Sequence, residues 1–569
     1  MLIYFYLFKP VLQISGYTVL KSRKIMFVTV ISLFLMITLT IAIGEEADNS
    51  QKNVQNIVKG MSIDEKIGQL LMIGVPGTSL NKSSKELIST YRPGGLILFG
   101  YNYRTTGQLY EFNRSLQNYS VSQKSLPMLI SIDQEGGRVR RITGQGVTQF
   151  PGNMAAGSAN DPLLTYRWAR ILAMQLRRLG VNMNLAPDID VNNNPDNPVI
   201  NTRSFGSNPE IVARHGRAYV KGLQEGGVMA VAKHFPGHGD TSVDSHKTLP
   251  VIPYNIKRIN SVELVPFKES VAAGVSSVMT AHILYPEIDK NGLPATLSSV
   301  FLNKILREYM KFDGLVMTDD MEMGAIAGNM DIGTAAVVAI NAGADIILVT
   351  THHNTKNIYN GFIEAYKKGL LTEERINKSV ERIVRAKLKY GIVNPQKTYS
   401  YINSYSSESD YREMVSAEKL NNLISKKALY FYRGVPERDY TYSSKAHLFT
   451  NNSFIKKQFA VTNAVKIYSI SQLFIKLREI PAEETVYVQL GDSQASIAHR
   501  LKTFSANNNN IVILSTENPF EITKYSGTIP VLFSFSNTQE SIKAVCDALK
   551  GKIDVKDYIS IDLGFGRSD

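Results

Sequence analysis

The chain has almost no cysteine, because Cys546 is the single one among 569 residues. One cysteine excludes an intramolecular disulfide and any metal site built from a cysteine cluster. The sequence also lacks a block of Lys and Arg interleaved with aromatic residues, so nothing in it indicates a nucleic-acid partner. Hydrophobic residues make up 44% and charged residues 20%. This composition excludes a largely disordered or collagen-like chain and predicts a globular protein.

One long apolar run lies near the N-terminus, where residues 25–43 include no charged side chain. Lys21, Arg23 and Lys24 precede it and acidic residues follow it. An apolar run with basic residues before it and acidic residues after it is typical of an export segment. We predict that residues 1–48 are a signal peptide or an N-terminal membrane anchor. The run is long for a cleaved signal, yet small residues near its end suit a peptidase, so both alternatives stay open. The protein is expected to be exported (periplasmic, cell-surface or extracellular), with membrane contact through this segment only.

The body of the chain, residues 49–395, alternates short apolar runs with helix-like segments. Continuous apolar runs are typical of strands in a parallel sheet that is covered on both faces. The alternation predicts an α/β fold of the (β/α)8 TIM-barrel type, although the pattern alone does not separate seven strands from eight. The candidate strands are residues 70–73, 95–99, 128–132, 181–186, 228–235, 275–283, 314–318 and 344–349.

A second α/β pattern follows the barrel. We predict a linker over residues 396–419 and a smaller C-terminal α/β domain over residues 420–569. Its apolar runs are residues 428–431, 486–490, 511–514 and 531–535, and the polar run 507–510 is predicted to be a surface loop. Asp492 and His499 are interpreted as ordinary surface residues, so we find no catalytic candidate in this domain.

Polar and charged residues gather after the predicted barrel strands. In barrels of this type the active site lies at the C-terminal ends of the strands. This end is therefore the predicted site. The residues that follow the third to seventh runs include Asp133, Glu135, Arg138, Asp188, Asp190, Lys233, His234, His282, Asp319 and Asp320.

Residues 233–246 hold three of the nine histidines. The spacing of His234 and His238 imitates a zinc-binding helix. Pro236 and Gly237 lie inside that spacing and disfavour a helix, so we expect no metal here. A polar loop with local hydrogen bonds is a second interpretation. The density of Gly, Asp and His directly after a barrel strand favours a third one, acid/base chemistry.

Asp244 and His246 have the spacing of an acid/base pair. In an extended segment, side chains two residues apart point the same way. A carboxylate beside an imidazole fixes its tautomer and favours its protonated form, which suits a general acid. Asp319, at the end of a predicted strand, is a candidate carboxylate nucleophile, and Asp320 and Glu322 are rivals by pattern. A carboxylate with a proton donor is the minimal machinery of retaining glycoside hydrolysis.

Residues 233–246 read KHFPGHGDTSVDSH and are followed by Leu249-Pro250. This segment is similar to the signature of glycoside hydrolase family 3, and more narrowly to its β-N-acetylglucosaminidase branch. Other segments agree with the family in order along residues 58–395. They are IDQEGGRV, LAP, NPVI, RSFG, MTAH and MTDDM.

The resemblance implies a role for each matching residue. Asp319, the first Asp of the Thr-Asp-Asp run, would form the covalent glycosyl-enzyme, which decides against Asp320. His246 would be the general acid/base, oriented by Asp244 on a mobile loop. The residues implied to bind the sugar are Asp133, Arg141, Arg203, Lys233 and His234. For the two arginines, structural salt bridges at the barrel rim are the alternative.

The resemblance therefore implies a retaining exo-β-N-acetylglucosaminidase without metal or organic cofactor. It would release terminal N-acetylglucosamine from peptidoglycan fragments or chitin-type oligosaccharides. The Asp-x-His pattern, which β-glucosidase-like members lack, favours this sugar. The C-terminal domain resembles the α/β sandwich of the family. Two alternatives stay open: an N-acetylglucosaminide phosphorylase, since His repels phosphate less than a carboxylate does, and a non-catalytic wall-sugar-binding protein. The sequence gives no oligomeric state.

Overall fold

The computed structural model describes residues 51–393, 408–432, 446–460, 465–481, 484–491, 494–505, 511–520, 522 and 529–555. The described residues from Met61 onward belong to one compact unit. The predicted export segment and the predicted loop 507–510 lie outside the described residues. Within the described residues, we find no helix with the length and apolar character needed to cross a membrane.

Eight parallel strands form a barrel, as the sequence predicts. Each strand pairs with its neighbour in chain order, and β1 also pairs with β8. A bridge between Met317 and Ile346 joins the seventh and eighth strands and completes the circuit. The strands are β1 Leu71–Gly74, β2 Gly95–Leu98, β3 Leu129–Ile132, β4 Met183–Asn184, β5 Met229–Phe235, β6 Ser277–Thr280, β7 Leu315–Thr318 and β8 Ile347–Val349.

Helices surround the barrel, and the longer ones bury an apolar face. The last of them shows why. Thr372 caps its first turn by accepting from the Arg375 N–H, and Ile376, Val380 and Ile383 recur at helical spacing and are buried. The helices are α1 Ile63–Gln69, α2 Lys82–Tyr91, α3 Thr106–Ser122, α4 Asn153–Ala159, α5 Pro162–Arg178, α6 Pro209–Glu225, α7 Ile256–Ser261, α8 Leu264–Ala272, the π-type helix α9 Val300–Tyr309, α10 Gly324–Ala327, α11 Ile332–Ala342, α12 His352–Lys367 and α13 Glu373–Lys389.

The second sheet has six described strands in the order β11-β10-β12-β13-β14-β9. All neighbours are parallel except β9, which runs antiparallel to β14. Apolar side chains form one core cluster on each face of the sheet, as in an α/β sandwich. Its elements are α14 Glu408–Ala428, β9 Tyr430–Tyr432, β10 Ala446–Phe449, α15 Ser453–Ala460, β11 Val465–Tyr468, α16 Leu473–Lys476, β12 Thr485–Leu490, α17 Ala495–Ser505, β13 Ile511–Ser515, β14 Val531–Phe533 and α18 Gln539–Leu549.

Helix α14 departs from the predicted linker over residues 396–419. It begins inside that segment and continues past its predicted end. The polar composition of the segment suggested a linker, but Ala417, Leu420 and Ile424 recur at helical spacing and are buried. The segment therefore contributes a packed helix.

Helix α4 joins the barrel to the second sheet. Its residues Met154 and Ala155 belong to the apolar core of that sheet. The Ser158 hydroxyl donates to the backbone carbonyl of Ala428 at 2.9 Å, and the Asn421 amide donates to the carbonyl of Gln149 at 3.1 Å. The second sheet therefore packs against a barrel helix and is not connected to the barrel by a linker alone.

Candidate active site

A pocket of about 390 Å³ opens at the C-terminal ends of the barrel strands. This is the end at which TIM-barrel enzymes place their active sites. The structure brings all eight sequence-predicted site residues to the lining of this one pocket. They are Asp133, Arg141, Arg203, Lys233, His234, Asp244, His246 and Asp319.

A buried ionic network forms one wall of the pocket. The Lys233 ammonium lies 2.8 Å from the Asp133 carboxylate and 2.7 Å from that of Glu135. Burial opposes its charge, but these two carboxylates raise the pKa of Lys233. Arg203 donates to both oxygens of Glu135, at 3.0 and 2.8 Å. Despite burial, Arg203 and Lys233 hold the pKa of Glu135 well below its usual range.

Arg141 completes this wall from a more exposed position. Its guanidinium lies 3.4 Å from the second oxygen of Asp133. Its backbone N–H donates to the Gln134 side chain at 2.8 Å, which fixes the loop that follows β3. The two predicted arginines thus make the salt bridges named as the alternative while also lining the pocket, so the two interpretations are compatible.

His234 is held as a neutral imidazole. Its Nδ1 lies 2.7 Å from the Asp190 carboxylate, and its Nε2 lies 3.3 Å from the Arg203 guanidinium, which can only donate. This arrangement assigns the proton to Nδ1 and leaves Nε2 as an acceptor. Burial, and then Arg203, lower the pKa of His234 to about 4. His234 therefore binds and orients neighbouring groups without carrying charge at neutral pH.

His238 anchors the loop that carries the predicted acid/base pair. Its ring nitrogens lie 2.9 Å from the hydroxyls of Thr241 and Ser245. Its backbone N–H donates to Asp190 at 2.6 Å. Burial lowers the pKa of His238 to about 3, so the ring stays neutral and one of its nitrogens accepts. Both ends of the loop are thereby tied to the same buried ring.

Asp244 and His246 form a hydrogen-bonded pair at the pocket mouth. Asp244 Oδ1 lies 2.8 Å from His246 Nδ1 and accepts the His246 backbone N–H at 2.9 Å. Burial acts in the opposite direction, but the hydrogen bonds from His246 lower the pKa of Asp244. The His246 side chain is 65% exposed. Its Nε2 is consequently available to exchange a proton with a ligand in the pocket.

Gly324 supports this loop from below. Its N–H donates to the backbone carbonyl of His246 at 3.1 Å. A Cβ at this position would lie 2.5 Å from the carbonyl oxygen of Lys247 and 2.9 Å from that of His246. Only glycine permits such a close approach of the two backbones.

The three rival carboxylates after β7 differ in charge and contacts. Burial acts against ionisation of Asp319, but His234, His282 and the Asp320 N–H lower its pKa. Burial raises the pKa of Asp320 to about 7, and its Oδ2 accepts from the Thr350 hydroxyl at 3.0 Å. Glu322 is engaged by hydroxyl and amide donors after β8, including the Thr350 N–H at 2.7 Å. Asp319 is thus the carboxylate that is ionised and faces the pocket, as a nucleophile requires.

The sequence reasoning named Glu135, Asp188 and Asp190 at the rim but gave them no role. The structure makes Glu135 the buried counter-charge of Lys233 and Arg203, and it makes Asp190 the support of His234 and His238. Burial and the neighbouring Asp190 raise the pKa of Asp188 to about 8. The feature of the sequence that could have indicated a role for these three residues is their position directly after the third and fourth predicted strands. Ligand-type atoms of Asp188, Asp190 and His234 lie within 4.8 Å of one another, but Arg203 contacts this group 3.5 Å from Asp188. A guanidinium at that distance places positive charge where a cation would need to bind.

The pocket brings together the ionised carboxylate of Asp319, the exposed imidazole of His246 and a wall of charged hydrogen-bonding groups. Charged donors and acceptors suit a ligand rich in hydroxyl groups, because charge-assisted hydrogen bonds are the strong ones. A carboxylate and a proton donor facing the same ligand can cleave a glycosidic bond. The geometry therefore has the parts of a sugar-cleaving enzyme.

Comparison with known proteins identifies the class. The model "Glycosyl hydrolase family 3 N terminal domain" matches residues 62–386. The chain belongs to glycoside hydrolase family 3, which confirms the resemblance predicted from its motifs, and it is a glycoside hydrolase.

Three relatives within this class are similar to the chain. Beta-hexosaminidase A of Pseudoalteromonas piscicida is 34% identical over 428 residues, 71% of this chain and 70% of the relative. A beta-hexosaminidase of Alkalilimnicola ehrlichii is 36% identical over 288 residues, 50% of this chain and 80% of the relative. The solved structure of a family 3 β-N-acetylglucosaminidase from a Paenibacillus species is 33% identical, with a TM-score of 0.80 over 89% of this chain and 99% of that one.

Proposed function

We propose that this glycoside hydrolase is a retaining exo-β-N-acetylglucosaminidase. The observation that carries the proposal is that the Asp244–His246 pair and the ionised Asp319 face one pocket. The names of relatives at 33% and 34% identity support the choice of sugar. The expected substrates are chitin-type oligosaccharides or peptidoglycan fragments that end in β-linked N-acetylglucosamine.

In the first step, the Asp319 carboxylate attacks the anomeric carbon of the terminal sugar. The bond from that carbon to the bridging oxygen breaks, and its electron pair leaves with the oxygen. His246 donates its Nε2 proton to this oxygen, while Asp244 stabilises the imidazolium beforehand through Nδ1. The products are a neutral leaving sugar and a glycosyl ester on Asp319.

In the second step, the neutral His246 acts as a base. It takes a proton from a water molecule, whose oxygen attacks the anomeric carbon and displaces Asp319 as a carboxylate. Two inversions at one carbon restore its configuration. The network of Asp133, Lys233 and Arg203 would hold the sugar hydroxyls in both steps. Since every member is already paired, no large rearrangement is needed when the sugar binds.

The pocket volume supports exo action. At about 390 Å³ the pocket lies at the small end of the roughly 300–1,000 Å³ range of ligand pockets. A pocket of this size suits one terminal sugar unit rather than an internal stretch of a chain. The rest of the substrate would then leave through the mouth.

We also propose that the protein is exported, either with the segment 25–43 removed or with that segment as an anchor. The proposal rests on the apolar run with basic residues before it. N-terminal sequencing of protein from the exported fraction distinguishes the two forms. Recovery of the protein only from the cytoplasm would contradict export.

The test of function is release of chromophore from an aryl N-acetyl-β-glucosaminide, with the aryl β-glucoside as the comparison substrate. Asp319→Asn is expected to abolish activity, and His246→Ala to lower it by roughly 10²- to 10⁴-fold, the usual contribution of general acid catalysis. Asp313→Asn and His353→Ala change an exposed carboxylate and an exposed imidazole outside the pocket and should be silent. NMR should show the β-anomer as the first product.

Other outcomes lead to the alternatives. Accumulation of a sugar 1-phosphate in phosphate buffer would make the protein a phosphorylase. Binding of the sugar without turnover, unchanged by Asp319→Asn, would make it a binding protein. Activity on the aryl β-glucoside alone would contradict the proposed sugar.

A further inference from the structure

An exposed aromatic side chain, Tyr101, stacks on a residue of the pocket lining. Tyr101 is 52% exposed, and its ring stacks on that of Phe99, with 5.5 Å between ring centroids and 17° between planes. Phe99 in turn lines the pocket. The Arg141 guanidinium lies 5.9 Å from the centre of the Phe99 ring. Arg141, Phe99 and the partly exposed Tyr101 therefore form a continuous series of contacts that begins in the pocket lining.

The turn that carries Tyr101 is held rigidly from within. Residues Gly100–Asn102 form one turn of 3₁₀ helix directly after β2. The buried side chain of Asn102 accepts the Phe99 N–H at 2.9 Å and donates to the backbone carbonyls of Val75 and Gly77 at 2.9 and 2.7 Å. Each hydrogen-bonding atom of this amide is satisfied. The tyrosine is consequently presented by a fixed backbone, in contrast to an exposed aromatic on a loose loop.

Such a surface has the properties of a sugar-stacking platform. The faces of a pyranose ring present C–H groups, and an exposed aromatic ring offers apolar area to them at little entropic cost, since it has few torsions to freeze. A substrate whose terminal unit fills the pocket must pass its next unit through the mouth. The ring of Tyr101 lies one stacked ring away from the pocket lining, and its exposed surface is accessible to such a unit.

We propose that Tyr101, backed by Phe99, forms a subsite for the leaving group, and that its ligand is the pyranose ring that follows the terminal sugar. This inference rests on the proposed function, and it adds to it the residue that binds the leaving sugar. Tyr101 contributes binding on the leaving-group side and takes no part in proton transfer.

The test compares two substrates that differ only in the leaving group. N,N′-diacetylchitobiose releases a sugar, and methyl N-acetyl-β-glucosaminide releases methanol, which is too small to reach Tyr101. Tyr101→Ala is expected to lower kcat/KM for the disaccharide by about three- to tenfold, the usual range for an aromatic stacking contact. The same variant should change kcat/KM for the methyl glycoside by less than about twofold. Tyr101→Phe and Tyr101→Trp should keep wild-type selectivity, because the stacking face remains.

A matched control removes another exposed tyrosine. Tyr309, at the end of α9, is 59% exposed, contacts Asn260 and does not line the pocket. Tyr309→Ala should leave both substrates unaffected. An equal loss on both substrates in Tyr101→Ala would overturn the proposal, since it would place the effect on the terminal sugar. No loss on either would overturn it as well.

Binding to an inactive variant separates this proposal from the proposed function. In the Asp319→Asn background, calorimetry should show that Tyr101→Ala weakens binding of N,N′-diacetylchitobiose and leaves binding of N-acetylglucosamine unchanged. Failure of the wild-type protein to cleave either substrate would contradict the proposed function. The binding difference could still be measured, because it does not depend on cleavage. Equal disaccharide binding with and without Tyr101, or no disaccharide binding at all, would contradict the subsite.

Discussion

The side-chain amide of Asn153 donates a 2.6 Å hydrogen bond to the backbone carbonyl of Arg203. The same amide lies 3.3 Å from the carbonyl of Asp188. Asn153 is the first residue of α4, and the next residue, Met154, is buried in the core of the second sheet. One short helix thus connects that core to Arg203, which donates two hydrogen bonds to Glu135.

Asn153→Ala should lower both stability and activity. It leaves two backbone carbonyls without their donor in a buried site, at a cost of about 1–3 kcal/mol. We expect a lower melting temperature and a loss in kcat/KM as Arg203 relaxes. Thermal unfolding and kinetics of the purified variant measure both. Asn341→Ala, which removes an exposed amide bond to the Leu370 carbonyl, is the control and should cost less. Wild-type kinetics in Asn153→Ala would disprove the link.

Gly324→Ala should impair catalysis more than folding. The added methyl group would lie 2.5 Å from the Lys247 carbonyl oxygen, so the loop that bears His246 must move. Since misplacement of a reacting group by about 1 Å can cost 10²-fold, we expect kcat to fall by roughly tenfold to 10²-fold. Gly107→Ala is the matched control, because a Cβ there meets nothing within 4 Å. A variant of Gly324 with full activity would show that the loop tolerates displacement.

Arg203→Met should destabilise the protein strongly. Removing one partner of a buried ion pair leaves an uncompensated charge, which costs about 3–5 kcal/mol. Lys233 remains beside Glu135 at 2.7 Å, so the lower end of that range is expected. Adding Glu135→Gln should recover part of the loss, and a double-mutant cycle from chemical denaturation gives the coupling. Additive losses in the two single variants would mean that the pair does not act as a unit.

Lys387→Met should stabilise the protein, and the gain should depend on pH. Lys387 is fully buried, and its ammonium donates only to the Gln69 side chain at 2.6 Å among the bonds seen here. Burial lowers the pKa of Lys387 to about 7, whereas an unfolded lysine titrates near 10.4. Between these values the unfolded chain holds more protons, so wild-type stability rises with pH through this group.

The gain from Lys387→Met should accordingly be largest at or below pH 7 and fade toward pH 10. On the order of 1–3 kcal/mol is expected after the lost partner of Gln69 is subtracted. Urea unfolding at pH 6 and pH 9.5 measures the difference. Lys389→Met, an exposed neighbour on the same helix, is the control. An equal gain at both pH values would exclude titration of Lys387 as the cause.

The sequence predicted the barrel well because its strands are buried on both faces. All eight apolar runs overlap a strand, and the whole of β5, Met229–Phe235, lies within the predicted run. In the second domain, β10 and β11 were missed. The edge strand β11, Val465–Tyr468, is partly exposed and carries Lys466, so it lacks the continuous apolar pattern. Partial exposure therefore explains why β11 was missed, but it does not apply to β10, which is buried throughout.

For the site, the sequence indicated which residues gather at the barrel rim, but it did not indicate how they pair. Arg203 and Glu135 are 68 positions apart, and nothing in local spacing states that they form a bidentate pair. Asp190 binds His234 and His238 through contacts that only the closed barrel creates. Tyr101 was overlooked because a lone tyrosine after a strand looks like any surface residue until its stack on Phe99 is seen.

Met154 and Ala155 belong to the core of the second sheet. The activity of the barrel should therefore depend on whether that sheet is folded. A substitution that loosens strands some 300 positions further along the chain would reach the pocket through helix α4, without changing any group that the proposed mechanism places against the sugar. Heat inactivation and melting of the second sheet should therefore occur together. During evolution, substitutions in the barrel helix α4 and in the core of the second sheet would also have to remain compatible with each other.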